Sequence, residues 1–276
     1  MIFRRFADLP GRQIHYREHG ASSGVPLMLF HASPGSSKQL EALMSAFSVS
    51  RRVIAPDRAG NGDSPALDKA TPEIADYAAD TVLLLDALKI PQVDVFGSHT
   101  GASIAGELAI IAPGRVRKVV LDGIPLYSPE RRDEYLREYA RPYPPDLDGS
   151  YLQKVFMFCR DQYLFSPWYK RTSEHRRANG IPSVQGLHNW VLEVLKAPVS
   201  YVLGYQAAFR YPAKERIPKI TQPVLAMAPD DDSLKDNTRT LADACANFTF
   251  AAMSRSDAPD HLKSVAARVE AFLGRA

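Results

Sequence analysis

At 276 residues the chain has room for one large domain or two small ones. Apolar residues make up 45% and charged residues 24%, and the formal charge of +3 is too small to argue for a nucleic-acid partner. Cys159 and Cys245 fall in no metal-ligand or redox spacing, no apolar run is long enough for a bilayer, and Met1-Ile2-Phe3-Arg4-Arg5 leads into no apolar signal region. These features predict a cytoplasmic protein with no membrane partner and leave a homodimer open. Basic groups such as Arg176-Arg177 read as solvated surface.

The chain opens as a hairpin, Ile2 to Ala7 and Gln13 to Glu18 about a Pro10-Gly11 turn. Short apolar runs follow at Pro26 to Phe30, Arg52 to Ala55, Val93 to Phe96 and Val116 to Leu121, the pattern of strands buried on both faces of a parallel sheet. Helical periodicity lies between them. Pro72 opens one helix, with Ile74, Tyr77, Ala78, Val82, Leu85 and Leu88 on one stripe, and another runs from Thr100 to Ala112. From 127 to 212 the alternation stops and the chain turns aromatic and helical. Strand patterns return at Pro223 to Met227 and Asn247 to Ala252, before a last helix carrying Leu262, Val265, Val269 and Phe272. The prediction is a doubly wound α/β core of residues 1–126 and 213–276, with a helical insertion of 127–212 after the sixth strand.

Three loops stand at the ends of these strands. The first reads Phe30-His31-Ala32-Ser33-Pro34-Gly35, the second Pro56-Asp57-Arg58-Ala59-Gly60-Asn61-Gly62-Asp63-Ser64, and the third Gly97-Ser98-His99-Thr100-Gly101. In this order they resemble the cap-bearing members of the α/β-hydrolase superfamily: an oxyanion loop, the Pro-Asp-x-x-Gly-x-Gly-x-Ser loop, and the Gly-x-Ser-x-Gly nucleophile elbow. The resemblance covers the chain outside the insertion. It implies about eight strands, mostly parallel, a helical cap, no cofactor, and an oxyanion hole made by the amides of Ser33 and Thr100. It also implies an acid near the end of the Pro223 strand, where the register favours Asp232, with Asp230 and Asp231 as competitors and Asp122 as the position some relatives use.

Two positions depart from that pattern. His99 stands where the family has its serine, while Ser98 and Ser103 fall off the apex of the turn. The family's last histidine belongs near Arg255, and the nearest candidate, His261, comes several residues late. His99 at a helix N-terminus and in an apolar pocket is expected to titrate below about 6.5. The remaining histidines form no ligand spacing, so no metal is indicated. His31, Trp168 and Trp190 are the candidate substrate-binding residues, in an aromatic pocket suited to a small apolar molecule. Together these features imply a hydrolase of a small apolar ester, lactone or related carbonyl compound, with His99 as nucleophile or base. The alternatives are a lyase, isomerase or cofactor-free oxygenase using His99 as base, and a silent ligand-binding protein.

Overall fold

A computed structural model describes residues 1–20, 24–47, 51–178 and 180–274. Eight strands form one sheet: β1 (Phe3–Leu9), β2 (Arg12–His19), β3 (Leu27–Phe30), β4 (Val53–Pro56), β5 (Val93–Ser98), β6 (Val116–Asp122), β7 (Val224–Pro229) and β8 (Phe248–Met253). Their order across the sheet is β1-β2-β4-β3-β5-β6-β7-β8. The β1–β2 hairpin pairs antiparallel and β2 meets β4 antiparallel, whereas every later pairing is parallel. The central strands β3 and β4 and the outer-lying β7 are buried along their whole length, which is why they read as unbroken apolar runs.

Helices cover both faces. On one face α2 (Ile74–Ala87) and α3 (Thr100–Ile111) bury Ile74, Tyr77, Leu84, Ile104 and Leu108 against Met28, Val95 and Val119. The other face packs α1 (Glu41–Phe47) and α10 (His261–Leu273) through Met44, Phe47, Val265 and Val269 onto Leu29, Phe96 and Leu225. Each such large apolar side chain contributes roughly 1.5–3 kcal/mol on burial. Asp76 starts α2 by accepting from the Glu73 N–H at 2.7 Å.

Between β6 and β7 the chain forms α4 (Pro129–Glu138), α5 (Ser150–Leu164), α6 (Val184–Leu195), α7 (Tyr201–Arg210) and the short α8 (Ala213–Arg216). Ser128 caps α4 through the Arg131 N–H with Pro129 in the first turn, and Ser183 caps α6 through the Gly186 N–H. The segment has its own aromatic core, with Tyr143, Phe158, Trp168, Tyr201 and Tyr205 packed together. It is tied to the loops at the strand ends: Trp190 Nε1 donates to Pro34 O, Tyr205 OH to Ser33 O, and Ser200 Oγ to Gly60 O, each at 2.8–2.9 Å. The loop after β7 leads to α9 (Lys235–Asp243). Among the described residues no helix is long and apolar enough to cross a membrane.

Candidate active site

The site is built on the turn from β5 into α3. His99 stands between them with φ 52° and ψ −111°, a strained conformation for a residue with a side chain. Two glycines make the turn sterically feasible. A Cβ on Gly97 would collide with the Gly101 carbonyl, and one on Gly101 with the Phe30 carbonyl. The His99 N–H is fixed to Asp122 O at 2.9 Å, and the His99 carbonyl accepts from Ala102 and Ser103 to start the helix. This lifts the imidazole away from the sheet, and its Nε2 lies 2.8 Å from Asp232 Oδ2.

Asp232 is held for this contact. It follows β7, its Oδ1 accepts from the Leu234 N–H at 2.8 Å, and its side chain is only 10% exposed. The other two acids of the run point elsewhere: Asp230 pairs with Lys235, and Asp231 accepts from the N–H and hydroxyl of Ser256. Asp122 lies at the end of β6 opposite Ser98, and its buried Oδ1 has no partner among the described residues.

The expected charge state of His99 is corrected by this geometry. Burial opposes the charged ring, but the Asp232 carboxylate, through its charge and its hydrogen bond, and Asp122 behind it raise the pKa to about 9. The carboxylate wins because it is buried and in contact, not exposed and screened. The ring lies deep in the protein, yet 43% of its side-chain surface borders open space. Asp232 moves the other way: burial raises its pKa, while His99 and the Leu234 amide outweigh burial and hold it below the usual value. Burial lifts Asp122 to about 7, helped by Asp232 and opposed by His99.

The open face of His99 borders a cavity of about 320 Å³. Ser33 and Thr100 line it, and the Thr100 N–H opens α3 and so has no acceptor within the helix. Tyr127, Tyr135, Tyr139, Tyr163, Trp190, Tyr205 and Phe209 supply an aromatic wall, and Gln162 and Arg177 supply polar groups. Burial keeps the Tyr127, Tyr139 and Tyr205 phenols protonated well above their ordinary range. Arg177, read from sequence as surface, faces this cavity. Its Nη1 donates to Gln162 O at 3.3 Å, and its charge reaches both His99 and Asp232.

Several sequence candidates fall elsewhere. Trp190 lines the cavity, but Trp168 belongs to the aromatic core of the helical segment, with Nε1 bonded to Tyr139 O. His31 is not a wall of this cavity. It is 1% exposed, Nδ1 donates to Ala32 O and Nε2 accepts from the Arg58 N–H. Burial and the Arg58 charge lower its pKa to about 3. His261 turns back on its own loop, with Nδ1 at 2.9 Å from Ser254 O. Ser256, one residue beyond the slot counted near Arg255, lines the cavity.

Sequence spacing gave no metal site, yet folding brings one ligand atom each of His15, Asp57 and Asp63 within 4.8 Å. Asp57 is already engaged there by His15 Nδ1, the Ser37 N–H and hydroxyl, and the Asp63 N–H, so the group acts as a hydrogen-bond hub that fixes the second loop.

Comparison with known proteins agrees with this architecture. A 2-hydroxymuconate semialdehyde hydrolase of Pseudomonas sp. (strain CF600) is 42% identical over 113 residues, 38% of each chain. The chain thus matches about two fifths of the length of that curated relative. Two solved structures superpose over nearly the whole chain. A hydrolase from Pseudomonas aeruginosa PA01 does so with a TM-score of 0.76, 18% identity and coverage of 99% of this chain and 98% of that one. The enol-lactonase from Burkholderia xenovorans LB400 gives 0.74, 20% identity and coverage of 98% and 100%. At these identities they speak for the fold alone. The model of the alpha/beta hydrolase fold matches residues 25–261, and the chain therefore belongs to that family.

Proposed function

We propose that the chain is a hydrolase of small carbonyl compounds in which His99, held by Asp232, activates water directly. The observation that carries this is the 2.8 Å contact of His99 Nε2 with Asp232 Oδ2 at the floor of the aromatic cavity. In the neutral ring Nε2–H donates to Asp232, which leaves Nδ1 to accept a proton. Water loses that proton to Nδ1 as its oxygen bonds to the carbonyl carbon. The oxyanion is received by the amides of Ser33 and Thr100. Nδ1–H then protonates the leaving alkoxide as the ester or lactone C–O bond breaks. Asp232 stabilises the imidazolium formed between the two steps, and no acyl-enzyme is needed.

Residues 127–212 serve in this account as the cap that closes the cavity and excludes water. The aromatic wall favours an apolar body, and Arg177 favours a substrate carrying a carboxylate. The names of relatives support a carbonyl substrate: one is a 2-hydroxymuconate semialdehyde hydrolase, another a 2-hydroxy-6-oxo-2,4-heptadienoate hydrolase. The test is turnover of a panel of nitrophenyl esters and lactones, with the quenched enzyme weighed intact. Wild type should turn over without an adduct, and His99→Ala should lose about 100-fold or more. An acylated serine, or full activity in His99→Ala, would overturn the proposal.

One observation favours a second account. With its pKa raised to about 9, His99 holds a proton at neutral pH and can give it to an enolate. The same pair would then move a proton beside a carbonyl, as in a lyase or isomerase. Solvent deuterium entering the recovered substrate without hydrolysis would select this second account.

A further inference from the structure

We infer that Gly123 is a positioning residue for the His99–Asp232 pair: the missing side chain there is what lets an imidazole on the elbow reach the carboxylate after β7. The inference rests on the pair being the working centre. Gly123 follows β6, and its backbone passes beneath the contact. A Cβ built on it would lie 2.7 Å from His99 Cδ2, 2.9 Å from His99 Nε2 and 3.0 Å from Asp232 Oδ2. One methyl group would therefore meet both partners of the hydrogen bond at once.

The backbone cannot draw back to make room. The Gly123 N–H donates to Met227 O at 2.9 Å, stitching the end of β6 to β7. Just before it, Asp122 O accepts from the His99 N–H at 2.9 Å, stitching the same turn to the elbow. The imidazole is the softer side of the collision, since a χ rotation moves it while the two strands stay paired. Gly123 also has φ +74°, so any side chain there adds backbone strain. That strain needs a control, and Gly149 provides one. It has φ +70° at the start of α5, far along the chain from the elbow, and its nearest neighbour to an added Cβ is Leu152 at 3.7 Å.

The experiment is an NMR titration of isotope-labelled histidine in wild type, Gly123→Ala and Gly149→Ala, with His99 assigned by its loss in His99→Gly. The wild-type ring should titrate near the raised value of about 9. In Gly123→Ala its proton affinity should fall by about tenfold or more, one pKa unit, and Gly149→Ala should leave it unchanged. A folded Gly123→Ala with an unchanged His99 titration would overturn the inference. A wild-type ring titrating at or below about 6.5 would instead overturn the pair, and the inference with it. A second measurement covers a variant that fails to fold. In the His99→Gly background the two closest contacts are gone and only Asp232 Oδ2 at 3.0 Å remains, so the loss in denaturation midpoint caused by Gly123→Ala should shrink toward that of Gly149→Ala. An equal loss in both backgrounds would show that Gly123 serves the backbone alone.

Discussion

Replacing Asp232 by asparagine keeps the shape of the loop after β7 and removes the charge facing His99. Burial and the helix end are then opposed only by the weaker pull of Asp122, so the ring should titrate down toward about 6.5 instead of about 9. A change of about 2.5 units corresponds to roughly 3.4 kcal/mol at 1.36 kcal/mol per unit. The imidazole keeps 43% of its side-chain surface open, so solvent screening reduces this, and about 1–2 kcal/mol should appear as stability. The folded pKa lies above the unfolded one. The contribution is therefore complete below about pH 6.5 and disappears as pH rises through about 9. On the acid side the same contact is lost as Asp232, whose folded pKa is lowered, takes up a proton. Denaturant unfolding of wild type and Asp232→Asn should thus differ most near about pH 5.5 and converge near about pH 10. A gap of equal size at both ends would mean that the asparagine disturbs packing, and the ion-pair argument would fail.

Arg177→Gln should raise KM about tenfold for carboxylate-bearing substrates and leave KM for neutral esters unchanged, since a cation at the cavity wall selects charge; equal KM effects on both classes would remove Arg177 from specificity. Fluorophosphonate probes should label the protein poorly, because neither Ser98 nor Ser103 stands at the apex of the turn; stoichiometric labelling of any serine, Ser256 included, would contradict the water-activating account. Glu107, 2% exposed, accepts from Tyr211 and from Arg216, so Glu107→Ala should cost about 3 kcal/mol by leaving the guanidinium unpaired; calorimetry showing less than about 1 kcal/mol would refute that estimate.

The sheet was legible because parallel strands buried on both faces leave unbroken apolar runs, as in Leu27–Phe30 and Val53–Pro56. The elbow was legible because its geometry demands two glycines flanking one residue. What the site does with that turn was not. The contact between His99 and Asp232 spans 133 positions, and a Cβ at Gly123 would meet both of its partners. The charge state was not legible for the same reason: only the fold buries the Asp232 carboxylate against the ring. Arg176-Arg177 looked like surface because a basic pair in a polar stretch does not say which side chain turns inward. Aromatic residues such as Trp168 and Trp190 announce burial equally, and only packing separates core from cavity wall.

In the proposed reaction the imidazole of His99, bound to Asp232, carries the proton. The pH dependence of kcat/KM on an activated ester tests it most directly, because it reports the essential base of the free enzyme. The rate should rise with pH and level above about 9, with the inflection moving down by up to about 2.5 units in Asp232→Asn and the whole limb vanishing in His99→Ala. A profile whose inflection lies near the ordinary histidine value and is the same in Asp232→Asn would contradict it.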